Sequence, residues 1–329
     1  MQDRSEELRV AIDAVRAACR VCRAVQERMV GGALEKRDKS PVTVADFASQ
    51  AIVCRSLAEA LPGDPIVAEE ASDALREAGN ASLLDAVVGH VAAEIGARAS
   101  TGEVLGWIDR GGHDAGARRY WTLDPIDGTK GFLRREQYAV ALGLIEDGQV
   151  VLGVLGCPNL PTGEGGRGAL FAATSGGPAR SLPLWSSAGG VEGAITVDRV
   201  RKAAEARFCE SVESGHSNQE ESARIASLLG IATEPYRIDS QCKYAAVARG
   251  DASIYLRMPT RADYREKIWD HAAGKLIVES AGGRVTDVEG RPLDFGRGET
   301  LEANSGIVAT SGAIHDEVID AIRRVRAGS

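Results

Sequence analysis

Long apolar runs are absent from this sequence. No stretch among its 329 residues reaches the roughly 18 consecutive apolar residues that a membrane-spanning helix requires. The segment from Met1 to Glu7 is polar and lacks the apolar centre of a secretory signal. We therefore expect a cytoplasmic protein that has no membrane partner.

An excess of positive charge is also absent. The chain has 39 Lys and Arg against 47 Asp and Glu, which gives a formal net charge of −8. A surface that coats nucleic acid needs surplus cationic side chains to displace counterions, and no motif here combines aromatic and basic residues as RNA-binding modules do. These absences argue against a nucleic-acid partner. A small anionic ligand remains compatible, because an acidic protein can contain a local basic pocket.

The cysteines are few and scattered, and only Cys19 and Cys22 have the C-x-x-C spacing of a redox or metal pair. No second Cys or His pair lies nearby to complete a zinc site. Apolar residues around the two thiols recur at steps of three, four and seven, which predicts that both lie on the buried seam of an amphipathic helix. Buried thiols are the favoured interpretation, and a redox pair is the alternative.

The composition, with 44% hydrophobic and 26% charged residues, predicts a globular chain with one large or two closely packed domains. Periodicity predicts a helix that ends near Met29 and a second helix that starts at Asp46. Two apolar runs joined by Asp147-Gly148 predict a β-hairpin and hence an antiparallel sheet. Beyond residue 193, strand and helix patterns alternate as in an α/β layer. The stretch 161–193, rich in Gly, Ser and Pro, is the predicted junction between subdomains 1–195 and 196–329.

Acidic residues occur where predicted strands end or helices begin. They are Asp46, Glu69, Glu70, Asp124, Asp127 and Asp270. Carboxylates that converge repel one another in a low-dielectric site, so such a group requires protonation or bound cations. Hard oxygen ligands select Mg²⁺, Ca²⁺ or Mn²⁺ rather than zinc.

The run Asp124-Pro125-Ile126-Asp127-Gly128-Thr129 is the strongest single signal. Pro125 stiffens the turn between the two aspartates and can direct both side chains toward one point. Gly128-Thr129 can open a helix whose free amides suit a phosphate oxygen. Taken alone, the run also fits a tight turn with an Asp cap, and each of the other acids alone fits a helix start or a solvated turn.

Three spaced motifs together resemble the inositol monophosphatase superfamily of lithium-sensitive phosphatases. They are Glu69-Glu70 after a strand, the run from Asp124 to Thr129, and Trp269-Asp270-His271-Ala272-Ala273. The resemblance implies the αβαβα layered sandwich of the inositol monophosphatase and fructose-1,6-bisphosphatase fold. It also implies two or three Mg²⁺ ions per site, with Glu69, Asp124, the backbone of Ile126, Asp127 and Asp270 as ligands.

Within the superfamily, the sequence is most similar to the 3′(2′),5′-bisphosphate nucleotidases. The narrower likeness lies in residues 39–46, 121–133, 239–244 and 266–274. Stretches 71–103 and 161–207 match only in pattern, and Gly215 stands where many relatives have Ser. This resemblance implies that Asp46 acts as general base together with Thr129. It implies that the substrate is held by Thr129, His216, Ser240, Lys243, Arg257 and Asp270.

The expected reaction is Mg²⁺-dependent hydrolysis of the 3′-phosphate of adenosine 3′,5′-bisphosphate, and also of 3′-phosphoadenylyl sulfate, by a monomeric enzyme. A second phosphate on the ligand needs permanent positive charge, which Lys243 and Arg257 provide. Two alternatives remain open at this point. One is the same chemistry on an inositol phosphate or a sugar bisphosphate, and the other is a sensor that binds the nucleotide without hydrolysing it.

Overall fold

The computed structural model describes residues 3–30, 40–162, 165–185, 192–212, 219–259, 261 and 263–327. Its helices are α1 (Ser5–Val30), α2 (Ser40–Ala60), α3 (Asp73–Arg76), α4 (Ala81–Ile95), α5 (Thr101–Asp109), α6 (Thr129–Arg134), α7 (Gln219–Leu228), α8 (Cys242–Ala248), α9 (Ala272–Ser280) and α10 (His315–Ala327). Its strands are β1 (Ile66–Ala68), β2 (Arg119–Asp127), β3 (Ala139–Glu146), β4 (Gln149–Pro161), β5 (Arg167–Thr174), β6 (Arg180–Pro183), β7 (Gly193–Ala194), β8 (Phe208–Glu210), β9 (Tyr236–Arg237), β10 (Ile254–Arg257), β11 (Arg284–Thr286) and β12 (Ile307–Thr310). Short 3₁₀ turns cover Ala78–Asn80, Ala203–Glu205 and Ile268–Asp270.

The first sheet contains seven strands in the order β1-β2-β3-β4-β5-β6-β7. Strand β1 is parallel to β2, and each later pair is antiparallel. The predicted hairpin is confirmed as β3 and β4. Its turn residues Asp147 and Gly148 have φ angles of 47° and 73°, the positive values that a tight hairpin turn with the natural strand twist requires.

The second sheet contains five strands in the order β11-β12-β10-β8-β9. Strand β8 runs parallel to both of its neighbours, β9 and β10, whereas β12 is antiparallel to β10 and β11. Strand β10 lies inside this sheet, between β12 and β8, and Arg257 is its last residue.

Helices separate and cover the two sheets. Helices α1 and α2 pack together on one face of the first sheet and bury a large apolar core there. Helices α8 and α9 lie between the sheets, in contact with β4 on one side and β12 on the other. Helices α7 and α10 cover the outer face of the second sheet. The five layers confirm the predicted αβαβα sandwich.

Two predicted boundaries were wrong. Helix α2 begins at Ser40, so Asp46 lies in its second turn and not at its start. Pro41 is tolerated in the first turn of a helix because an N–H at this position would have no partner within the helix. The pair Ser40-Pro41 therefore marks the start of α2. Strand β2 does not stop at Asp124 but continues to Asp127, with a shift in its pairing to β3 between these two residues.

The stretch 161–193 is not a simple linker. It supplies β5 and β6 and begins β7, so the chain passes to the second sheet only after Ala194. The apolar run of β5 is short and continuous, and the glycines and prolines on either side of it signal turns more strongly than so short a run signals a strand. The division into subdomains 1–195 and 196–329 remains a prediction.

All six cysteines are free and buried. Burial raises the pKa of the Cys19 thiol and of the Cys22 thiol well above the ordinary value, which opposes formation of the reactive thiolate. The interpretation of both as core residues of α1 is confirmed. In the described part of the chain, no helix is long and apolar enough to cross a membrane.

Candidate active site

The predicted carboxylates meet where the first sheet faces the second. Because β1 is parallel to β2, Glu69 follows β1 beside Asp124, and the Glu69 amide donates to the Leu123 carbonyl at 3.2 Å. Asp127 ends β2, and Asp270 ends the 3₁₀ turn that precedes α9. These four side chains line one cleft of about 170 Å³.

The same cleft collects most of the residues that the family resemblance implies. Its walls include Glu69, Asp124, Ile126, Asp127, Thr129, Ser240, Lys243, Arg257 and Asp270. His216, the remaining predicted substrate ligand, lies outside the described residues. Asp46 does not line the cleft wall. It lies on α2 with 5% of its surface exposed, and Glu70 and Glu69 are close enough to act on its charge.

The acidic side of the cleft is electrostatically strained. Burial raises the pKa of Glu69 to about 8, and the charge of Asp270 adds to the shift. Burial also raises the pKa of Asp124 well above its usual range, and Glu69 is the next cause. The pKa of Asp127 rises to about 6 through burial and Asp270, against the opposing charge of Lys243. Oxygen donors that repel one another in this way fit hard divalent cations such as Mg²⁺.

Asp46 is a buried acid next to this group. Burial raises its pKa well above the ordinary value, and Glu70 and Glu69 raise it further. An aspartate in this environment is a stronger base, once ionised, than one exposed to water. Helix α2 also holds the neighbouring acids in place, since the Ser49 hydroxyl donates to the Pro125 carbonyl at 2.9 Å.

Thr129 is the first residue of the short helix α6, and the sequence predicted a helix start here. This residue is exposed. Gly128 precedes it with a φ of 90°, a conformation that favours glycine. A β-carbon on Gly128 would lie 2.8 Å from the Ser240 β-carbon. The absence of a side chain at Gly128 therefore brings α6 against the turn that carries Ser240.

Gln241 is a structural residue of the site that the sequence did not single out. Its backbone amide donates to the Asp127 carboxylate, and its side-chain amide donates to the Trp269 carbonyl at 2.9 Å. Its side-chain oxygen accepts a bond from the Gly274 amide at 3.3 Å. Gln241 thus links the first sheet to the turn of Asp270. A polar residue between the predicted ligands Ser240 and Lys243 was the available signal, but its partners come from distant segments.

Lys243 and Arg257 form the cationic side of the cleft. Lys243 is buried, which lowers its pKa, and its ammonium lies 5.3 Å from the centre of the Tyr255 ring. The Arg257 guanidinium lies between two acids, with Nε at 2.8 Å from Glu266 and an Nη atom at 3.5 Å from Asp270. Negative and positive walls of this kind suit a ligand that carries phosphate groups.

A second acidic group lies behind Arg257. Among the described residues, Glu266, Asp270 and His271 place ligand-type atoms within 4.8 Å of one another. Glu266 already accepts Arg257, and both nitrogens of His271 already have hydrogen-bond partners. This trio is therefore a satisfied network of ion pairs and hydrogen bonds. Asp270 is shared between this network and the four carboxylates that line the cleft.

Comparison with known proteins shows which family this chain belongs to. A model of the inositol monophosphatase family matches residues 3–327. A 3′(2′),5′-bisphosphate nucleotidase of Emericella nidulans is 45% identical, with 95% of this chain and 96% of the relative covered. The enzyme of the same name from Schizosaccharomyces pombe is 44% identical, with 97% and 95% covered.

Solved structures give the same fold at lower identity. An inositol monophosphatase from Anabaena superposes with a TM-score of 0.62 at 21% identity, over 96% of this chain and 95% of the other. The IMPase of Thermotoga maritima superposes with a TM-score of 0.64 at 20% identity, over 98% of each chain. The site, the fold and the match along nearly the whole sequence lead to one conclusion: the chain belongs to the inositol monophosphatase family.

Proposed function

We propose that this chain is a 3′(2′),5′-bisphosphate nucleotidase, a phosphoric monoester hydrolase that converts adenosine 3′,5′-bisphosphate to AMP and phosphate. We include 3′-phosphoadenylyl sulfate as a second substrate. The observation that carries the proposal is one cleft with a carboxylate wall of Glu69, Asp124, Asp127 and Asp270 facing Lys243 and Arg257. Relatives that are 44–45% identical over nearly their full length bear the nucleotidase name. A cytoplasmic location and a monomeric state belong to the same proposal.

The carboxylate wall is the proposed site for two or three Mg²⁺ ions. Glu69, Asp124, Asp127, Asp270 and the Ile126 carbonyl would hold them. The pKa values of Glu69, Asp124 and Asp127 are raised first by burial and then by the charge of neighbouring carboxylates, which bound cations would offset. When bound, the ions supply the positive charge that makes water more acidic and offsets the charge of the phosphate.

We assign proton transfer to Asp46 and Thr129. Asp46 would accept the proton of the attacking water, a role suited to a carboxylate whose pKa is raised by burial and by Glu70 and Glu69. Thr129, exposed at the start of α6, would orient that water and contact the phosphate. Both are positioned by backbone elements, α2 and α6, that pack against each other.

We assign substrate binding to the other side of the cleft. Ser240, Lys243 and Arg257 would bind the part of the nucleotide that is not cleaved, together with Thr129, Asp270 and His216. Arg257 offers several N–H donors in a rigid fork, and Lys243 offers a compact charge. A second phosphate distinguishes the proposed substrates from inositol 1-phosphate, so these cations are the basis of the substrate proposal.

A phosphate-release assay tests the proposal. Purified protein with Mg²⁺ is given adenosine 3′,5′-bisphosphate, 3′-phosphoadenylyl sulfate or inositol 1-phosphate, and Asp46→Asn serves as the inactive reference. We expect phosphate from the two nucleotides and a loss of at least about a hundredfold in Asp46→Asn. Release from inositol 1-phosphate alone would favour the inositol phosphatase alternative. Binding of the bisphosphate without release by the unmodified protein would favour the sensor.

A further inference from the structure

Arg257 is held by a carboxylate that is not among the proposed ligands. Its Nε lies 2.8 Å from the Glu266 carboxylate, and one Nη atom lies farther, 3.5 Å, from Asp270. The same end of the guanidinium donates to the Tyr264 hydroxyl at 3.4 Å. The Glu266 side chain is 5% exposed and that of Arg257 is 21% exposed. The arginine thus reaches the cleft while its main partner is buried behind it.

Glu266 is in turn fixed by a buried chain of hydrogen bonds. The Nε2 atom of His271 lies 3.1 Å from the Glu266 carboxylate, and Nδ1 lies 2.8 Å from the Tyr244 hydroxyl. One neutral form of histidine satisfies both contacts: Nε2–H donates to the carboxylate, and Nδ1 accepts from the tyrosine. His271 and Tyr244 are completely buried, so neither exchanges its partner for water.

The position of Arg257 requires such an anchor. The cleft contains Asp270 and Asp127, both of which attract the guanidinium. Without a fixed anion on the other side, Arg257 would move closer to Asp270 than the present 3.5 Å and give up N–H donors to that carboxylate. Charge-assisted hydrogen bonds to a buried carboxylate are strong enough to decide between these two positions.

We propose that Glu266 and His271 are positioning residues that determine specificity for a second phosphate: the 2.8 Å contact with Glu266 keeps Arg257 from closing its longer, 3.5 Å contact with Asp270, and so leaves N–H donors for the ligand. The inference rests on the proposed function, because it takes Arg257 as the residue that contacts that phosphate. Tyr244 also takes part, because its hydrogen bond to Nδ1 fixes the tautomer of His271.

The first test is Glu266→Gln, which keeps the size of the side chain and removes its charge. With adenosine 3′,5′-bisphosphate and saturating Mg²⁺, we expect KM to rise roughly tenfold and kcat to change by less than about threefold. Tyr244→Phe removes only the far end of the chain and should raise KM by roughly two- to threefold. A Glu266→Gln variant that loses kcat and keeps its KM would overturn the proposal.

A double-mutant cycle separates positioning from a general structural role. In an Arg257→Ala background, Glu266→Gln should leave KM within about twofold of the single Arg257 variant, because no guanidinium remains to be held. Multiplicative effects of the two changes would overturn the proposal. Glu279→Gln is the matched control, since it neutralises the 2.8 Å partner of Lys275 on α9, and it should leave both KM and kcat unchanged.

Direct binding keeps the test independent of turnover and of folding. AMP binding is measured by calorimetry, and the thermal unfolding midpoint shows that each variant is folded. Failure of the proposed function would appear as no phosphate release by the unmodified protein. An AMP affinity that is roughly tenfold weaker in Glu266→Gln than in the unmodified protein supports the positioning of Arg257 by Glu266. Equal AMP affinity in the two proteins overturns it. If Glu266→Gln does not fold, folded Tyr244→Phe decides, because unchanged AMP affinity in that variant overturns the proposal.

Discussion

Gln50 and Glu70 exchange two hydrogen bonds between the middle of α2 and the residue pair that follows β1. The Glu70 amide donates to the Gln50 side-chain oxygen at 3.0 Å, and the Gln50 side-chain amide donates to the Glu70 carbonyl at 2.6 Å. The same amide donates to the Ile108 carbonyl at 3.0 Å. Gln50 therefore fixes the distance between the helix that carries Asp46 and the backbone of Glu69.

Replacing Gln50 by Leu should harm both stability and rate. The change leaves a buried amide and two carbonyls without their partner, which costs about 2 to 4 kcal/mol of unfolding free energy. We expect kcat to fall at least about tenfold with a smaller change in KM, because Asp46 and Glu69 lose their alignment. Urea unfolding and steady-state kinetics measure the two effects.

Ser56→Ala is the control for this prediction. Ser56 also lies on α2, but its hydroxyl donates only to the Ile52 carbonyl of the same helix. We expect a change of less than about 0.5 kcal/mol in unfolding free energy and no change in kcat. A Gln50→Leu variant with full activity would show that α2 and the Glu69 segment do not need this link.

Gly128→Ala should separate α6 from the Ser240 turn. The new methyl group would meet the Ser240 β-carbon at 2.8 Å, and the φ of 90° disfavours any side chain. We expect a loss of about 1 to 3 kcal/mol in unfolding free energy, together with a fall of at least about tenfold in kcat/KM, since Thr129 moves with α6.

Gly89→Ala is the matched glycine control. Gly89 lies within α4, where a β-carbon meets nothing within 4 Å and the backbone needs no positive φ. Because alanine is the better helix former, unfolding free energy should rise by about 0.5 to 1 kcal/mol. Equal behaviour of the two glycine variants would contradict the close approach between Gly128 and Ser240.

The sequence was most informative where the chemistry is local in the chain. The run from Asp124 to Thr129 brings two carboxylates and a helix start together within six residues, and the structure keeps them in one cleft. Glu69 reaches the same cleft because β1 pairs in parallel with β2, a contact between distant segments that the local patterns did not predict. Family resemblance connected Asp270, already noted at a helix start, to this group and added Lys243 and Arg257.

The remainder could not be predicted because it depends on contacts between distant segments. Glu266 forms an ion pair with Arg257, which lies on β10. His271 forms a hydrogen bond with Tyr244, which lies on α8. In sequence, Glu266 and Tyr244 are an ordinary acid and an ordinary aromatic residue. The helix start at Ser40 was missed for a different reason: apolar periodicity becomes clear only after Asp46, whereas the start depends on the Ser-Pro pair.

Magnesium should stabilise the protein against unfolding. The pKa of Glu69 is raised to about 8 by burial and, after that, by the charge of Asp270. A cation that binds only to the folded state would offset both costs. We expect the thermal unfolding midpoint to rise by several degrees with millimolar Mg²⁺, roughly 2 to 4 °C for each kcal/mol, and to fall again with a chelator. Differential scanning calorimetry measures the shift.

Asp124→Asn provides the sharper form of this experiment. Without Mg²⁺ the variant should be more stable than the unmodified protein by about 1 to 2 kcal/mol, because one of the repelling buried carboxylates is gone. The side-chain oxygen of the new asparagine would still accept the bond that the Ile126 amide now donates to Asp124 at 3.0 Å. With Mg²⁺ the order should reverse. An identical response of both proteins to Mg²⁺ would remove Asp124 from the set of ligands.

His315, a buried residue outside the cleft, should make the free energy of unfolding depend on pH. Its ring is completely buried, with Nε2 at 2.9 Å from the Thr286 hydroxyl and Nδ1 at 3.0 Å from that of Thr310. Burial, with a smaller contribution from Arg284, lowers its pKa to about 4. A histidine in the unfolded chain has a pKa of about 6.5, so between these two values only the unfolded chain binds the proton.

The stabilising contribution of neutral His315 is therefore complete above about pH 6.5 and is lost as the pH falls toward 4. At pH 5 the loss amounts to about 2 kcal/mol. His315→Gln should be less stable than the unmodified protein at pH 7.5, and the gap should close by that amount at pH 5. Acid groups of the cleft titrate in both proteins, so they cancel in the difference. Urea unfolding at the two pH values measures it, and a gap that does not change with pH would mean that His315 already carries its proton in the folded state.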